Sequence, residues 1–149
     1  MKLIATIVTV CLCTMASFAQ QSLDLKIKKG SDQPNSEKEH LYLLEVSNSS
    51  RSTSKFTIST TNINCADIKS DKQTLLNHKA LNVTSKKEIT SYSLRPNSNF
   101  EFYVKLSRPM NTSTGKWNCT EIKAIDDNGK TISNPVVITS LIPDPNDQH

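Results

Sequence analysis

The chain has 149 residues, and its 18 lysines and arginines against 14 acidic residues give a net charge of +4. These charges are scattered and aromatic residues make up only 5% of the chain. We therefore expect no nucleic-acid partner, because nucleic-acid-binding surfaces cluster basic residues among aromatics. Once a leader is removed, the remaining length suits one domain, which buries about two thirds of its unfolded surface.

The first 19 residues have the pattern of a secretory signal peptide. Lys2 supplies a positive charge, the stretch 3–12 is mostly apolar, and the small residues Ser17 and Ala19 precede the expected cleavage point. A membrane-spanning helix needs about 20 apolar residues, and this run has about half that number. The predicted organisation is a signal peptide at 1–19, a folded domain at 20–142 and a short Pro/Asp-rich tail at 143–149.

The mature protein is expected to carry no membrane anchor. Lipid attachment requires a small residue directly before the modified cysteine, whereas Val10 and Leu12 precede Cys11 and Cys13. No later apolar run is long enough to span a bilayer. The sequence therefore predicts a secreted or periplasmic protein that does not insert into a membrane after signal cleavage.

Two cysteines, Cys65 and Cys119, remain after cleavage. Two cysteines in an exported chain predict one disulfide bond. A reactive thiol is the weaker alternative, since neither cysteine belongs to a Cys-x-x-Cys motif. A zinc site is weaker still, because His40, His78 and His149 have no ligand spacing relative to the cysteines.

Apolar and polar residues alternate with a period of two through most of the remaining chain, which predicts short β-strands. The predicted strands are 23–28, 40–47, 55–60, 87–94, 100–107, 116–125 and 135–142. The second contains a nearly continuous apolar run and is expected to be central in a sheet. Because the polar residues 48–51 follow it as a turn, we expect the second and third strands to pair as a hairpin.

The strand at 100–107 has the clearest pattern. Its apolar residues, Phe102 and Val104 among them, point to one face, and Tyr103 points to the other with charged neighbours. This pattern is typical of a strand with one buried and one solvated face. Tyr103 is therefore our candidate for a surface contact.

Residues 62–85 admit two interpretations. A short helix within 67–80 would point Leu75 and Leu76 inward. Alternatively, the segment is a long loop that contains an edge strand, and we favour this second interpretation.

The Asp-Asp-Asn-Gly sequence at 126–129 predicts a hairpin turn, because Asn-Gly readily adopts the positive φ angles of a type I′ turn. The alternative for these residues is a calcium site. A calcium loop needs further acidic ligands at fixed spacing and a closing glutamate, and none follows. We therefore expect a turn that binds no metal.

Seven or eight short strands without a long helix predict an all-β fold, a single immunoglobulin-like antiparallel β-sandwich. The alternating Gly115, Trp117 and Cys119 resemble strand F of immunoglobulin-like domains. The segment 94–109, with its proline turn, alternating strand and Arg-Pro end, resembles bacterial immunoglobulin-like and fibronectin type III-like modules. The resemblance covers most of 23–142 and implies that Trp117 packs in the core between the sheets.

Two features depart from a true immunoglobulin domain. The partner cysteine of such a domain lies on strand B, which here is near Leu43, whereas Cys65 follows the third strand. No tryptophan marks strand C, so the disulfide is expected to be non-standard. The Phe-Ala-Gln end of the leader and the composition rich in Asn, Lys and Ser resemble exported proteins of the Bacteroidetes.

No catalytic motif is present in the sequence. It contains no Gly-x-Ser-x-Gly, Ser-x-x-Lys or His-Glu-x-x-His and no phosphate-binding glycine loop. We therefore predict no catalytic residue, no cofactor and no metal site. Of the three functional hypotheses that we consider, an enzyme is therefore the weakest.

The first hypothesis is a monomeric, non-enzymatic binding or adhesion-type module for an extracellular or envelope ligand, which is a protein or a glycan. Loops at one end of the sandwich or an exposed edge strand would bind it. The alternative is a structural or accessory subunit of a cell-envelope assembly. A binding module should show an exposed aromatic or polar groove, and an assembly subunit should show an apolar patch or a bare strand edge.

Overall fold

The computed structural model describes residues 22–144, which form eight β-strands and a single-turn 3-10 helix at Ser70–Lys72. The strands are β1 (Leu23–Lys29), β2 (Glu39–Asn48), β3 (Ser54–Ile63), β4 (Asn77–Asn82), β5 (Tyr92–Leu94), β6 (Ser98–Ser107), β7 (Lys116–Ile125) and β8 (Val136–Ile142). The predicted signal peptide lies outside the described residues, as does most of the predicted tail.

The strands form two antiparallel sheets of four. The first has the order β1-β2-β6-β4 and the second the order β5-β3-β7-β8. In immunoglobulin nomenclature these are an A-B-E-D sheet and a C-F-G sheet with one added strand beside C. The predicted all-β, immunoglobulin-like sandwich is confirmed.

The core lies between the two sheets and is built from their inward residues. On β6, Phe102 and Leu106 are fully buried while Tyr103 points outward, as the alternation predicted. Each such apolar side chain stabilises the fold by about 1.5–3 kcal/mol when it is buried. A 3.2 Å hydrogen bond between the hydroxyls of Tyr42 and Ser140 crosses the core and joins β2 to β8.

The expected hairpin between the second and third strands is wrong. β2 pairs with β1 and β6, which confirms its central position, whereas β3 pairs with β5 and β7. The turn at 49–53 therefore carries the chain from one sheet to the other. The buried Asn48 stabilises this crossing, because its Nδ2 donates to the carbonyl oxygens of Ser52 and Leu94 at 2.8 and 2.9 Å.

Residues 62–85 form a loop and an edge strand, as favoured. β4 lies at the edge of the first sheet, and Leu76 is buried while Leu75 is 68% exposed. The predicted strand at 87–94 is shorter than expected, since only β5 forms. Residues 87–89 instead lie beside β4, where the Ile89 amide donates to the Ala80 carbonyl at 2.9 Å.

The turn at 126–129 forms, but it is not the predicted type I′ turn. Gly129 has a φ of +77°, whereas Asn128 is not among the residues with positive φ. The Gly129 amide donates to the Asp126 carbonyl, and Asp126 Oδ1 accepts from the amides of Asn128 and Lys130 at 2.9 Å. The aspartate side chain therefore stabilises a longer loop in which one left-handed glycine closes the turn.

Replacing Gly129 with alanine is expected to lower the free energy of unfolding by about 1 kcal/mol, because alanine resists positive φ. An added Cβ meets no atom within 4 Å, so the effect comes from the backbone alone. Gly30→Ala is the matched control, since Gly30 also has open space but no positive φ. Urea unfolding measures both variants, and an equal loss in the two would contradict this explanation.

Trp117 does not pack between the sheets, so the implied core position is wrong. The inward residues of β7 include the buried Asn118 and Thr120, which places Trp117 and Cys119 on the outer face. Asn118 is satisfied in the interior, where its Nδ2 donates to Asn62 Oδ1 at 2.6 Å and to a loop carbonyl at 3.0 Å. A hydrogen-bonded polar pair thus occupies the position where the resemblance implied a tryptophan.

Candidate ligand-binding site

Three leucines and a tyrosine lie together on the outer face of the first sheet. Leu41 and Leu43 are on β2, Tyr103 is on β6 and Leu81 is on β4, and both Leu43 and Leu81 pair with Tyr103 across the strands. All four are only half-buried. The outer face of an antiparallel sheet is usually polar because water covers it. We call these four residues the outer-face patch.

The loop between β1 and β2 borders this patch and turns one end of it into a cleft of about 740 Å³. Leu41 and Leu81 contribute its apolar lining. Its polar lining consists of Asp32, Gln33, Ser36, Glu37, Lys38, Glu39, Lys86 and Lys105. Its volume is within the range of ligand pockets, and its lining combines two leucines with eight polar or charged residues.

The loop that forms the rim is held to β2 by specific contacts. The Leu41 amide donates to Asp32 Oδ1 at 2.7 Å, and the Asp32 amide donates back to the Leu41 carbonyl at 3.2 Å. The buried His40 ring contacts the Ser31 hydroxyl at 2.8 Å and the Glu37 carbonyl at 3.0 Å. The cleft is therefore preformed, which lowers the entropic cost of binding.

Two lysines place positive charge beside the apolar lining. Lys86 Nζ lies 4.0 Å from the centroid of the Tyr103 ring, a cation–π contact. Lys105 Nζ pairs with Glu39 Oε1 at 2.7 Å. The site thus combines two leucine side chains with charged groups that can hydrogen-bond a ligand.

A buried carboxylate lies farther along the same face. Glu45 Oε1 is 2.7 Å from Lys26 Nζ, and its Oε2 is 3.0 Å from Lys28 Nζ and 2.9 Å from Asn99 Nδ2. Hydrogen bonds from Lys26 and Lys28 lower the pKa of Glu45 to about 2. Hydrogen bonds to Glu45 and Glu101 raise the pKa of Lys28. This cluster holds β1 against β2 and borders the outer-face patch.

The residues predicted from the sequence lie in two separate places. Tyr103 is half-exposed in the outer-face patch, and its role as a contact stays a prediction. Cys65 and Cys119 form the predicted disulfide, with a Cα–Cα distance of 5.3 Å, on the second sheet. The sequence analysis did not identify Leu41 or Leu81, although the nearly continuous apolar run of β2 indicated that some of its leucines face outward.

The loops at one end of the sandwich form a second, polar hollow. The turns at 47–49 and 97–99 line a space of about 370 Å³ with serine and asparagine side chains. It lacks the apolar and aromatic groups that usually supply affinity. The outer-face cleft is therefore the stronger candidate.

Within residues 22–144, no group of three histidine, cysteine or acidic side chains is arranged to hold a metal ion. In the same part of the chain, no helix has the length and apolar character that a membrane crossing requires.

No protein-family model matches the sequence, and no curated protein is detectably similar to it. Among solved structures, a FixG-related protein from Vibrio parahaemolyticus is similar in fold, with a TM-score of 0.54 and 12% identity over 80% of this chain and 95% of that one. The apo PmoF2 PCuAC domain gives 0.43, with 14% identity over 86% and 94%. A PapD-like domain of human CEP192 gives 0.42, with 9% identity over 94% and 99%. The first likeness supports the sandwich fold, and the other two are too distant to bear on it.

Proposed function

We propose that this chain is a secreted or periplasmic, non-enzymatic binding module, and that an extracellular or envelope ligand occupies the outer-face cleft. The observation that carries the proposal is the apolar lining by Leu41 and Leu81 on a face that water would otherwise cover. Export is supported by the disulfide between Cys65 and Cys119, because such bonds persist in oxidising compartments.

The cleft also indicates which ligands suit it. A protein segment would place an apolar side chain over Leu41 and Leu81 and a carboxylate near Lys86 or Lys105. A glycan would lay the apolar face of a sugar ring on the same floor and hydrogen-bond the polar rim. Either ligand could bind in the preformed cleft without a catalytic reaction.

Leu81→Lys is expected to weaken ligand binding by about tenfold or more, because it puts a charge on the apolar floor. The probes are a glycan array and a library of displayed peptides, both screened with the exported protein. Leu75→Lys is the matched control, since Leu75 is 68% exposed and does not line the cleft. Binding to neither probe set, or equal binding by the two variants, would overturn the proposal.

A further inference from the structure

Lys86 lies in the turn that follows β4 and has a strained backbone conformation. Its φ of +55° is in the left-handed region, which residues with a Cβ rarely adopt. The other non-glycine residues with positive φ in 22–144 are an aspartate and two asparagines, which tolerate this region. The turn holds Lys86 there, because its amide donates to the Asn82 carbonyl at 3.0 Å and Asn82 Oδ1 accepts from the amides of Thr84 and Ser85. Such strain is concentrated at functional sites, so Lys86 is a candidate ligand-binding residue.

The ammonium group of Lys86 is fixed beside the leucines of the cleft. Its Nζ lies 4.0 Å from the centroid of the Tyr103 ring, and Tyr103 pairs with Leu81 across the strands. Lys86 lines the cleft together with Leu41 and Leu81. The attraction between a cation and an aromatic face favours one position of the ammonium without neutralising its charge. A ligand therefore meets a positive charge next to two apolar side chains.

The acidic side chains of the cleft have partners within the protein. Glu39 pairs with Lys105, and Asp32 Oδ1 accepts from a backbone amide of β2 at 2.7 Å. Glu37 lies close enough to Arg108 to act on its pKa, which burial lowers and the charge of Glu37 partly restores. All three carboxylates are therefore engaged before a ligand binds.

Two lysines of the cleft are not engaged in this way. Among the described residues, neither Lys38 nor Lys86 forms an ion pair with a carboxylate, whereas the neighbouring Lys79 and Lys105 both do. Lys86 is thus the unpaired lysine that is fixed beside the leucines. An ion pair with a carboxylate is stronger in a partly dehydrated cleft than on an open surface.

We propose that the cleft binds an acidic peptide segment, in which a carboxylate pairs with Lys86 and a neighbouring apolar side chain packs on Leu41 and Leu81. This inference rests on the proposed function and narrows its ligand to one class. The net charge of the chain acts in the same direction, because a positive domain attracts an acidic segment. Lys86 then selects ligands by charge, and the two leucines supply the apolar contact.

The lining of the cleft favours a peptide over a glycan. Sugar rings pack best against the flat face of an aromatic side chain, and none of the described residues that line the cleft is aromatic. The Tyr103 ring is nearby, but Lys86 Nζ lies over it. The branched side chains of Leu41 and Leu81 instead suit an aliphatic side chain, which they contact through many small dispersion interactions.

Peptides that the exported protein selects from a displayed library of random sequences test the role of charge. The wild type is expected to select peptides with an acidic residue next to an apolar one. Lys86→Glu should bind these peptides about tenfold or more weakly, because repulsion replaces the ion pair. Lys87→Glu is the matched control, since it makes the same change of charge one residue away but Lys87 does not line the cleft, and it should bind like the wild type.

Lys86→Asn separates a role in binding from a role in the turn. Asparagine tolerates positive φ, so this variant should unfold at the same urea concentration as the wild type or at a higher one. The substitution removes the ammonium, and acidic peptides should therefore bind about tenfold more weakly. A loss of stability with unchanged affinity would mean that Lys86 only shapes the turn, and the inference would be wrong.

The outcomes also distinguish this inference from the proposed function. If Leu81→Lys weakens binding but Lys86→Glu does not, or if only the glycan array yields a ligand, the acidic peptide is wrong and the binding function stands. Selected peptides without an acidic residue would have the same meaning. If neither probe set binds, or if Leu81→Lys binds as the wild type does, the proposed function itself fails.

Discussion

Replacing Cys65 and Cys119 together with serine is expected to lower the free energy of unfolding by about 4 kcal/mol. The bond closes a loop of 54 positions, and the cross-link reduces the entropy of the unfolded chain by an amount that grows with loop length. Urea unfolding of the wild type and the double variant measures the loss. We expect the whole domain to lose stability, because the bond joins β7 of the second sheet to the segment that leads into β4 of the first sheet.

The folded loop keeps other contacts when the disulfide is absent. Gln73 Oε1 accepts from the Cys65 amide at 2.9 Å, and Asn62 Nδ2 donates to the Leu76 carbonyl at 2.9 Å. We therefore expect the double variant to fold with the same sheets but with lower stability. Native circular dichroism at low temperature should match that of the wild type.

Reductant provides the control for the serine substitutions. It should destabilise the wild type by nearly the same amount and leave the double variant unchanged. Thiol titration of the unfolded protein should find no free thiol from Cys65 or Cys119 before reduction and two after it. A wild type whose unfolding curve does not respond to reductant would show that the bond is absent or contributes nothing.

Acidification from about pH 5 to pH 2 is expected to remove the stability that Glu45 contributes. The folded state holds the pKa of Glu45 at about 2, below its ordinary value of 4.5. A lowered pKa means that the contribution is complete above the ordinary value and is lost as the pH falls through the folded value. Lys26 and Lys28, the main cause of the shift, are 53% and 39% exposed, so solvent screening limits the contribution to about 1–2 kcal/mol.

Glu45→Gln separates this contribution from that of other carboxyls. The variant should lose about 1–2 kcal/mol at pH 7 and have a flatter stability profile between pH 5 and 2 than the wild type. Glu88→Gln is the matched control, because its pair with Lys79 is exposed on both sides and surface pairs contribute little. Identical acid profiles for wild type and Glu45→Gln would contradict the role assigned to the cluster.

The sequence alone determined where most strands lie and which cysteines pair. The alternation in β6 placed Phe102 inward and Tyr103 outward, because a strand that faces water on one side has a strict period of two. Cys65 and Cys119 were left as the expected pair once Cys11 and Cys13 were assigned to the predicted signal peptide. The all-β class could be predicted from these short segments, because the alternation of apolar and polar residues within each one indicates a strand without information from the rest of the chain.

The arrangement of the strands depended on contacts that are distant in sequence. The polar turn after β2 suited a hairpin equally well, and only the pairing of β2 and β3 with strands of different sheets shows that the chain crosses there. On β7 the alternation identified the two faces but not which face is inside. The inward face carries Asn118, whose hydrogen bonds come from residues far along the chain, and so Trp117 faces outward.

The candidate cleft was decided by the tertiary structure. Leu41 and Leu81 are 40 positions apart and line one cleft only because β6 lies between their strands. Local pattern determines which residues can face a neighbour, whereas the pairing of distant strands determines which neighbour is there.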